Sequence, residues 1–234
     1  MTLDNLKIKP LSKSNFAPYG QVIELKDAEK LIINQGTTTR FNALSSVDVA
    51  TENGEPIISI FEGQRRPDPI KLEVMERHPL GSQAFFPLSK HGWLVVVCKS
   101  NSSGSEPDLS TVECFFAEGN QGVNYFKGAW HHPLLVLEES QKFLVVDRQG
   151  GGCNLNEFFI KKNLKVKKIV TQKFFLEKMG IIERANNLSQ KMSFKEQSNL
   201  YLRLKRLLDT KLMGNLFKVI FTYKSKKNNF LGFQ

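Results

Sequence analysis

The chain has 234 residues, 41% hydrophobic and 24% charged, which is the composition of a folded protein and excludes wholesale disorder. Its length suits one domain with a sizeable appendage. The formal net charge of +10 is unevenly spread: residues 1–160 carry 15 Lys and Arg against 19 Asp and Glu, whereas residues 161–234 carry 18 against 4. A basic, nucleic-acid-binding reading therefore describes only the tail. Cys98, Cys114 and Cys153 are odd in number and form no CxxC pair, which argues against a disulfide scaffold and a cysteine-based zinc site. The polar start, MTLDNLKIKPLSK, lacks the apolar run of a secretory signal, and no apolar stretch is long enough for a bilayer. The expected address is the cytoplasm.

In chain order, the first 160 residues predict many short strands. After a turn at 12–16 they fall at 20–25, 31–34, 46–50, 57–61, 70–75, 83–87, 93–99, 112–117, 122–125, 133–137 and 142–146. Turn signals separate them, among them Asn53-Gly54, Pro67-Asp68-Pro69, Ser102-Ser103-Gly104, Glu118-Gly119-Asn120 and the Gly150–Gly152 run. Short strands at this spacing predict an all-β sandwich or barrel. Beyond Gly152 the texture changes to Lys, Asn, Ile and Phe. Ser193 and Glu196 have capping-box spacing, and Leu200, Leu204, Leu208 and Leu212 recur every four residues. They predict a basic amphipathic helix over 193–213, stopped by Gly214. The division expected is a domain over 1–160 and a basic, partly helical extension over 161–234. Three readings of that extension compete: a solvated appendage, favoured by composition; a surface for nucleic acid or an anionic membrane; or a leucine stripe docking on the barrel or a partner chain.

All four histidines, His78, His91, His131 and His132, lie in the acidic region. His91, between Ser89-Lys90 and Gly92, reads as an ordinary turn residue. Two others sit in dense polar runs, Glu76-Arg-His-Pro-Leu-Gly-Ser-Gln83 and Gly128-Ala-Trp-His-His-Pro133. Glu76 and His78 are two apart, so an extended strand points both to one face and turns Arg77 to the other. His132 alternates with His131, so one of that pair faces away, and the Gly-x-x-His spacing favours His131 inward. Trp130 suits core and pocket wall equally, and Pro79 and Pro133 suit strand ends. Asp147-Arg148 reads either as a local ion pair closing the barrel or as part of an anion site.

Glu76-x-His78, Gln83 and Gly128-x-x-His131 resemble the two metal motifs of cupin barrels, in degenerate form. A wider set resembles the ureidoglycolate lyase family, once called ureidoglycolate hydrolase. It comprises Glu76-Arg-His-Pro-Leu-Gly-Ser-Gln-Ala-Phe-Phe-Pro87, Pro107-Asp-Leu-Ser110, Gly122-Val-Asn-Tyr125, Trp130-His-His-Pro-Leu134 and Asp147-Arg148. Phe16-Ala-Pro-Tyr-Gly20, Ile33-Asn34, Gly36 and Arg40 join it. The resemblance spans about residues 5–155 and leaves the tail out. It implies a cupin-like jelly-roll barrel, usually a homodimer, that splits ureidoglycolate into glyoxylate and urea in allantoin and purine breakdown, recovering nitrogen. It also implies a divalent metal, nickel in the usual description; Glu76, His78, Gln83 and His131 supply donors suited to a borderline or hard cation.

Such a reaction needs a base, a proton donor for the departing nitrogen and a cationic anchor for the carboxylate. His78 or His131 suits the base because imidazole titrates near neutrality. The other histidine, or Tyr125, suits the donor. Arg40, Arg77 and Arg148 are candidate anchors through two-pronged hydrogen bonds, with Arg77 disfavoured by strand alternation. Gln83 and His132 complete the candidate substrate contacts; Gln83 reads equally well as a barrel residue bonded to a neighbour.

Overall fold

The structure is a computed structural model that describes residues 6–166. The chain divides into two units, Met1–Lys168 and Ile169–Gln234. The helix expected over 193–213 and the rest of the basic extension lie outside the described residues. Within them no helix is long and apolar enough to cross a membrane.

The first unit is almost all strand. Its strands are β1 (Ile8–Pro10), β2 (Gly20–Ile23), β3 (Lys30–Ile33), β4 (Thr38–Phe41), β5 (Glu55–Gln64), β6 (Lys71–Arg77) and β7 (Gln83–Pro87). The second half continues with β8 (Trp93–Cys98), β9 (Glu113–Ala117), β10 (Gly122–Tyr125), β11 (Trp130–His131), β12 (Leu135–Val136), β13 (Ser140–Gln149) and β14 (Asn156–Lys165). The turn expected at 12–16 is a short helix, α1 (Lys13–Phe16), closed by a capping box between Ser12 and Asn15.

These strands form the all-β, cupin-like architecture of two facing sheets. One runs β1-β9-β8-β11-β6-β14, with β12 also on β8; the other runs β2-β10-β7-β13-β5. β11 and β12 meet the same edge of β8 in turn, Trp130 against Cys98 and Val136 against Trp93. Pro133 lies between them and lacks the N–H a continuous ladder needs, so one strand becomes two short ones. β3 and β4 form a separate hairpin.

Alternation places the core between the sheets. Trp93, Val95 and Val97 of β8 meet Phe85 of β7, Phe143 and Val145 of β13 and Val123 of β10 in one buried cluster. The Trp93 and Phe143 rings touch edge to face with centroids 4.9 Å apart, a favoured aromatic geometry. Cys98 and Cys114 are buried and unbonded, as the absence of a disulfide pattern predicts.

The segment 46–50, expected as a strand, is irregular. Isolated bonds hold it instead of a ladder: Asp48 N–H donates to Ser82 Oγ, Ser82 N–H donates to the Asp48 carbonyl, and Asn124 Nδ2 donates to the Ser46 carbonyl. The last strand, β14, crosses position 160, where the sequence texture changes. It pairs with β6 from Asn156 opposite Arg77 to Lys165 opposite Lys71, so the ladder continues into the basic segment.

Candidate active site

The fold gathers Glu76, His78 and His131 from distant parts of the chain. Glu76 is the penultimate residue of β6, and His131 lies directly opposite it on β11. Residues opposite each other in a pair share a face. His78 follows two residues after Glu76, just past the strand end before Pro79. One donor atom from each residue lies within 4.8 Å of the other two. The His78 and His131 ring centroids are 5.4 Å apart.

Both imidazoles are turned by backbone carbonyls. His78 Nδ1 is 2.7 Å from the Asn154 carbonyl, and His131 Nδ1 is 2.9 Å from that of Ala129. A carbonyl only accepts, so each Nδ1 carries the hydrogen and each Nε2 keeps a lone pair. Neither Nε2 has a hydrogen-bond partner, although both atoms are buried. Unsatisfied buried nitrogens of this kind each cost about 1–3 kcal/mol. Two lone pairs and a carboxylate converging in one place, each histidine oriented from behind by a carbonyl, are the donor set and outer support of a divalent metal site. The residues fit such an ion.

The electrostatics agree. Burial pushes the Glu76 carboxyl up, but the adjacent His131 ring, with His78 and His132, outweighs it and holds Glu76 below its ordinary value. Glu76 Oε1 lies 3.5 Å from His131 Nε2, longer than a good hydrogen bond. Burial pushes His78 down, and His131 pushes it further; the Asn154 carbonyl, Glu76 and Asp147 oppose this without reversing it. His78 is therefore neutral at physiological pH.

Tyr125, the last residue of β10, lies flat against His131, ring centroids 4.0 Å apart and planes 10° from parallel. Burial raises its hydroxyl pKa, and Glu76 raises it further, so it acts as a donor and not as a base. Gln83, the first residue of β7, is paired with Tyr125 and shares its face. Gln83 Nε2 donates to Asp147 Oδ2 at 3.0 Å, while Gln83 Oε1 is buried without a partner.

The remaining candidates lie elsewhere. Arg77 turns away from the trio, as alternation predicts. It lies 4.6 Å over the Trp130 ring and donates to Asn156 Oδ1 and the Gly104 carbonyl. Trp130 is thus buried on the face away from the histidines. His132 follows His131 in extended chain and is not one of the converging three. Its Nδ1 faces the Pro133 carbonyl, and burial pushes its pKa down to about 4. Arg40 is exposed on β4, opposite Leu31, and is not brought to the trio. Arg148 is buried, with its Nη2 2.7 Å and its Nε 3.3 Å from the Thr51 carbonyl and Nη2 3.4 Å from that of Glu52. Asp147 and Arg148 make no side-chain ion pair; Asp147 Oδ1 accepts the Arg148 backbone N–H at 2.7 Å. That corrects the ion-pair reading. His91 is exposed, 3.6 Å from Glu138, in keeping with a turn residue. The orienting carbonyls of Ala129 and Asn154 have no sequence signal, because any residue carries one. The link from Asp147 to Gln83 follows only once β7 and β13 are known to be neighbours.

A family model described as ureidoglycolate lyase matches residues 3–167. A ureidoglycolate lyase of Burkholderia mallei (strain NCTC 10229) is 48% identical over 155 residues, covering 66% of this chain and 89% of that protein. One from Rhizobium etli, strain CFN 42, is 49% identical over 162 residues, covering 69% and 95%. One from Pseudomonas syringae pv. tomato is 44% identical over 161 residues, covering 69% and 93%.

Proposed function

Because this chain belongs to the ureidoglycolate lyase family, we propose that it cleaves ureidoglycolate to glyoxylate and urea. The observation that carries the reading is the convergence of Glu76 with two histidines whose buried Nε2 atoms have no hydrogen-bond partner and whose rings are fixed by carbonyls. Nitrogen recovery from allantoin, a homodimer and a cytoplasmic address belong to the same proposal by family resemblance. The exposed Leu31, Ile32 and Ile33 of the β3–β4 hairpin offer an apolar surface that a second subunit would cover.

Ureidoglycolate is a hemiaminal beside a carboxylate. Loss of the hydroxyl proton lets that C–O bond become a carbonyl while the bond to the urea nitrogen breaks. His78, held neutral by burial, takes the hydroxyl proton at Nε2 and returns it to the departing nitrogen, so one imidazole closes the proton count. Tyr125, kept protonated, donates its hydroxyl to the oxygen that becomes the carbonyl, while His131 is held in place beneath its ring. Glu76, His78 and His131 are the residues that would hold a divalent cation, nickel by resemblance. When bound it would polarise a substrate oxygen and reduce what the base must do. If a cation engaged the His78 lone pair, the Glu76 carboxylate oxygen left free would take the proton in its place. Gln83 is a substrate contact in this scheme, whereas Arg40, Arg148 and His132 stand apart from the converging trio.

Product analysis tests the proposal. The full chain and a form ending after Lys168, beyond the last β14 pair, are incubated with ureidoglycolate after chelation and after adding nickel. Urea and glyoxylate in equal amounts are expected. Ammonia in place of urea would mean attack by water at the ureido carbon, and neither product in any condition would remove the assignment.

A further inference from the structure

A carboxylate on β13 decides which end of the Gln83 amide meets the site. Asp147 Oδ1 accepts the backbone N–H of Arg148 at 2.7 Å, and that bond fixes the plane of the carboxylate. The other oxygen, Oδ2, faces Gln83 at 3.0 Å. An ionised carboxylate accepts and never donates, so the end of the Gln83 amide turned towards it must be the NH2. The carbonyl oxygen is then the free end. It is buried, has no partner among the described residues, and belongs to a side chain that shares its face with Tyr125, whose ring covers His131. A buried acceptor with no donor is rare in native structures and marks a place where something else supplies the hydrogen.

We propose that Asp147 is a positioning residue that locks the Gln83 carbonyl oxygen towards the Glu76–His78–His131 trio, where it accepts an N–H of the substrate. The proposal rests on the function given above and narrows its substrate class. The site selects small acids whose hydroxyl-bearing carbon also carries an amide or ureido N–H, and it disfavours the oxygen analogues. A site built around a fixed acceptor discriminates against a ligand lacking the donor, because the acceptor is then stranded.

The lock makes an unusual prediction for Asp147→Asn. The Arg148 N–H still requires an oxygen, so the introduced amide must turn its carbonyl there and its NH2 towards Gln83. Gln83 then presents its carbonyl to that NH2 and its own NH2 to the site, so acceptor becomes donor. Adding Gln83→Glu to Asp147→Asn restores the arrangement. The introduced carboxylate accepts from the introduced amide with one oxygen and offers the other to the site, and the net charge equals that of the wild type.

The test is calorimetric binding of two unreactive probes to the full chain, N-carbamoylglycine and its oxygen analogue O-carbamoylglycolate, with nickel titrated separately. The wild type is expected to bind the nitrogen probe about ten-fold more tightly, as one hydrogen bond to a fixed acceptor allows. D147N should erase that preference, and D147N/Q83E should recover it to within about three-fold, a non-additive rescue that a merely structural role for Asp147 would not produce. Equal binding of both probes by the wild type, or no recovery in the double variant, overturns the proposal. So does a large loss of nickel affinity in D147N, which would make the Gln83 oxygen a metal ligand. Wild-type turnover of ureidoglycolate is scored independently, so failure of the lyase assignment is distinguishable from failure of the lock.

Discussion

Replacing Arg148 with methionine asks whether this buried cation binds substrate or braces the barrel. The side chain runs through a channel walled by glycines. A Cβ on Gly81 would sit 2.9 Å from Arg148 Cβ and 3.0 Å from its Cδ, and one on Gly54 would overlap the guanidinium. At the end of the channel the guanidinium meets the turn at 51–53, where Glu52 and Asn53 both have positive φ. Only the 2.7 Å bond to Thr51 has strong geometry; the contacts at 3.3 and 3.4 Å add little. A hydrogen bond from a charged donor contributes about 1.5–3 kcal/mol, and the Thr51 carbonyl keeps the Gly54 N–H at 3.2 Å, so losing the guanidinium does not strand it. Against this, methionine fills much of the channel and no longer requires a cation to be desolvated. The net expectation for Arg148→Met is a loss of about 2 kcal/mol, read in urea unfolding at neutral pH as a midpoint shift of about 1 M. KM for ureidoglycolate should stay within about three-fold. A midpoint unchanged within error, together with a KM raised ten-fold or more, would refute the reasoning and make Arg148 the carboxylate anchor.

The other expectations concern the trio, the sheet edge and two glycines. His131→Ala removes one of the three converging donors and the surface on which Tyr125 stacks; turnover should fall at least about a hundred-fold, and nickel affinity measured by calorimetry should fall with it. Full wild-type activity after exhaustive chelation, with no gain on adding metal, would instead show that the trio works through protons alone. Glu113 joins β1 to β9 by accepting from Lys9 and from the Tyr19 hydroxyl. Burial pushes its carboxyl up, but those two bonds, with the charges of Lys9 and Lys99, hold it below the ordinary value. Its contribution is therefore fully present above the unfolded-state pKa and is lost as pH falls through that value towards the lower folded one. Glu113→Gln should flatten the decline of stability between about pH 5 and pH 3, by roughly 0.5 kcal/mol because the group is largely solvated. An unchanged slope would exclude this linkage. Gly20→Ala would drive a Cβ into the Asn124 carbonyl of the neighbouring strand and should destabilise by more than about 2 kcal/mol. Gly128→Ala meets open space at positive φ and should lose only about 1 kcal/mol. Equal thermal shifts for the two would count against the packing argument.

The legible parts of the sequence were those governed by local rules. Strands 83–87 and 122–125 coincide with β7 and β10 because the apolar run Ala84-Phe85-Phe86 in one and the alternation of Val123 and Tyr125 in the other, with flanking Gly or Pro, specify them without help. The segment 46–50 has the same alternation, Val47 and Val49, yet no partner strand lies beside it, and isolated bonds with Ser82 and Asn124 set its path. β14 was hidden for the opposite reason. Its Lys and Asn residues read as tail, while pairing with β6 makes it a strand. Of the site, Glu76 with His78 and the Gly-x-x-His131 spacing were visible as neighbours along the chain. What the chain order conceals is the convergence of those two runs, the carbonyls that select each tautomer, and the Thr51 carbonyl that holds the Arg148 guanidinium.

Glu76, His78 and His131 belong to one sheet and its margin, whereas Tyr125, Gln83 and Asp147 belong to the other. The same gap that holds the aromatic core therefore also holds the chemistry, with the Tyr125–His131 contact spanning it at one end and Trp93–Phe143 at the other. Catalytic rate then becomes a gauge of how far apart the two sheets stand. A change at Phe143 or Trp93, remote from every reacting atom, will be felt as misalignment between the two halves of the site well before the domain unfolds.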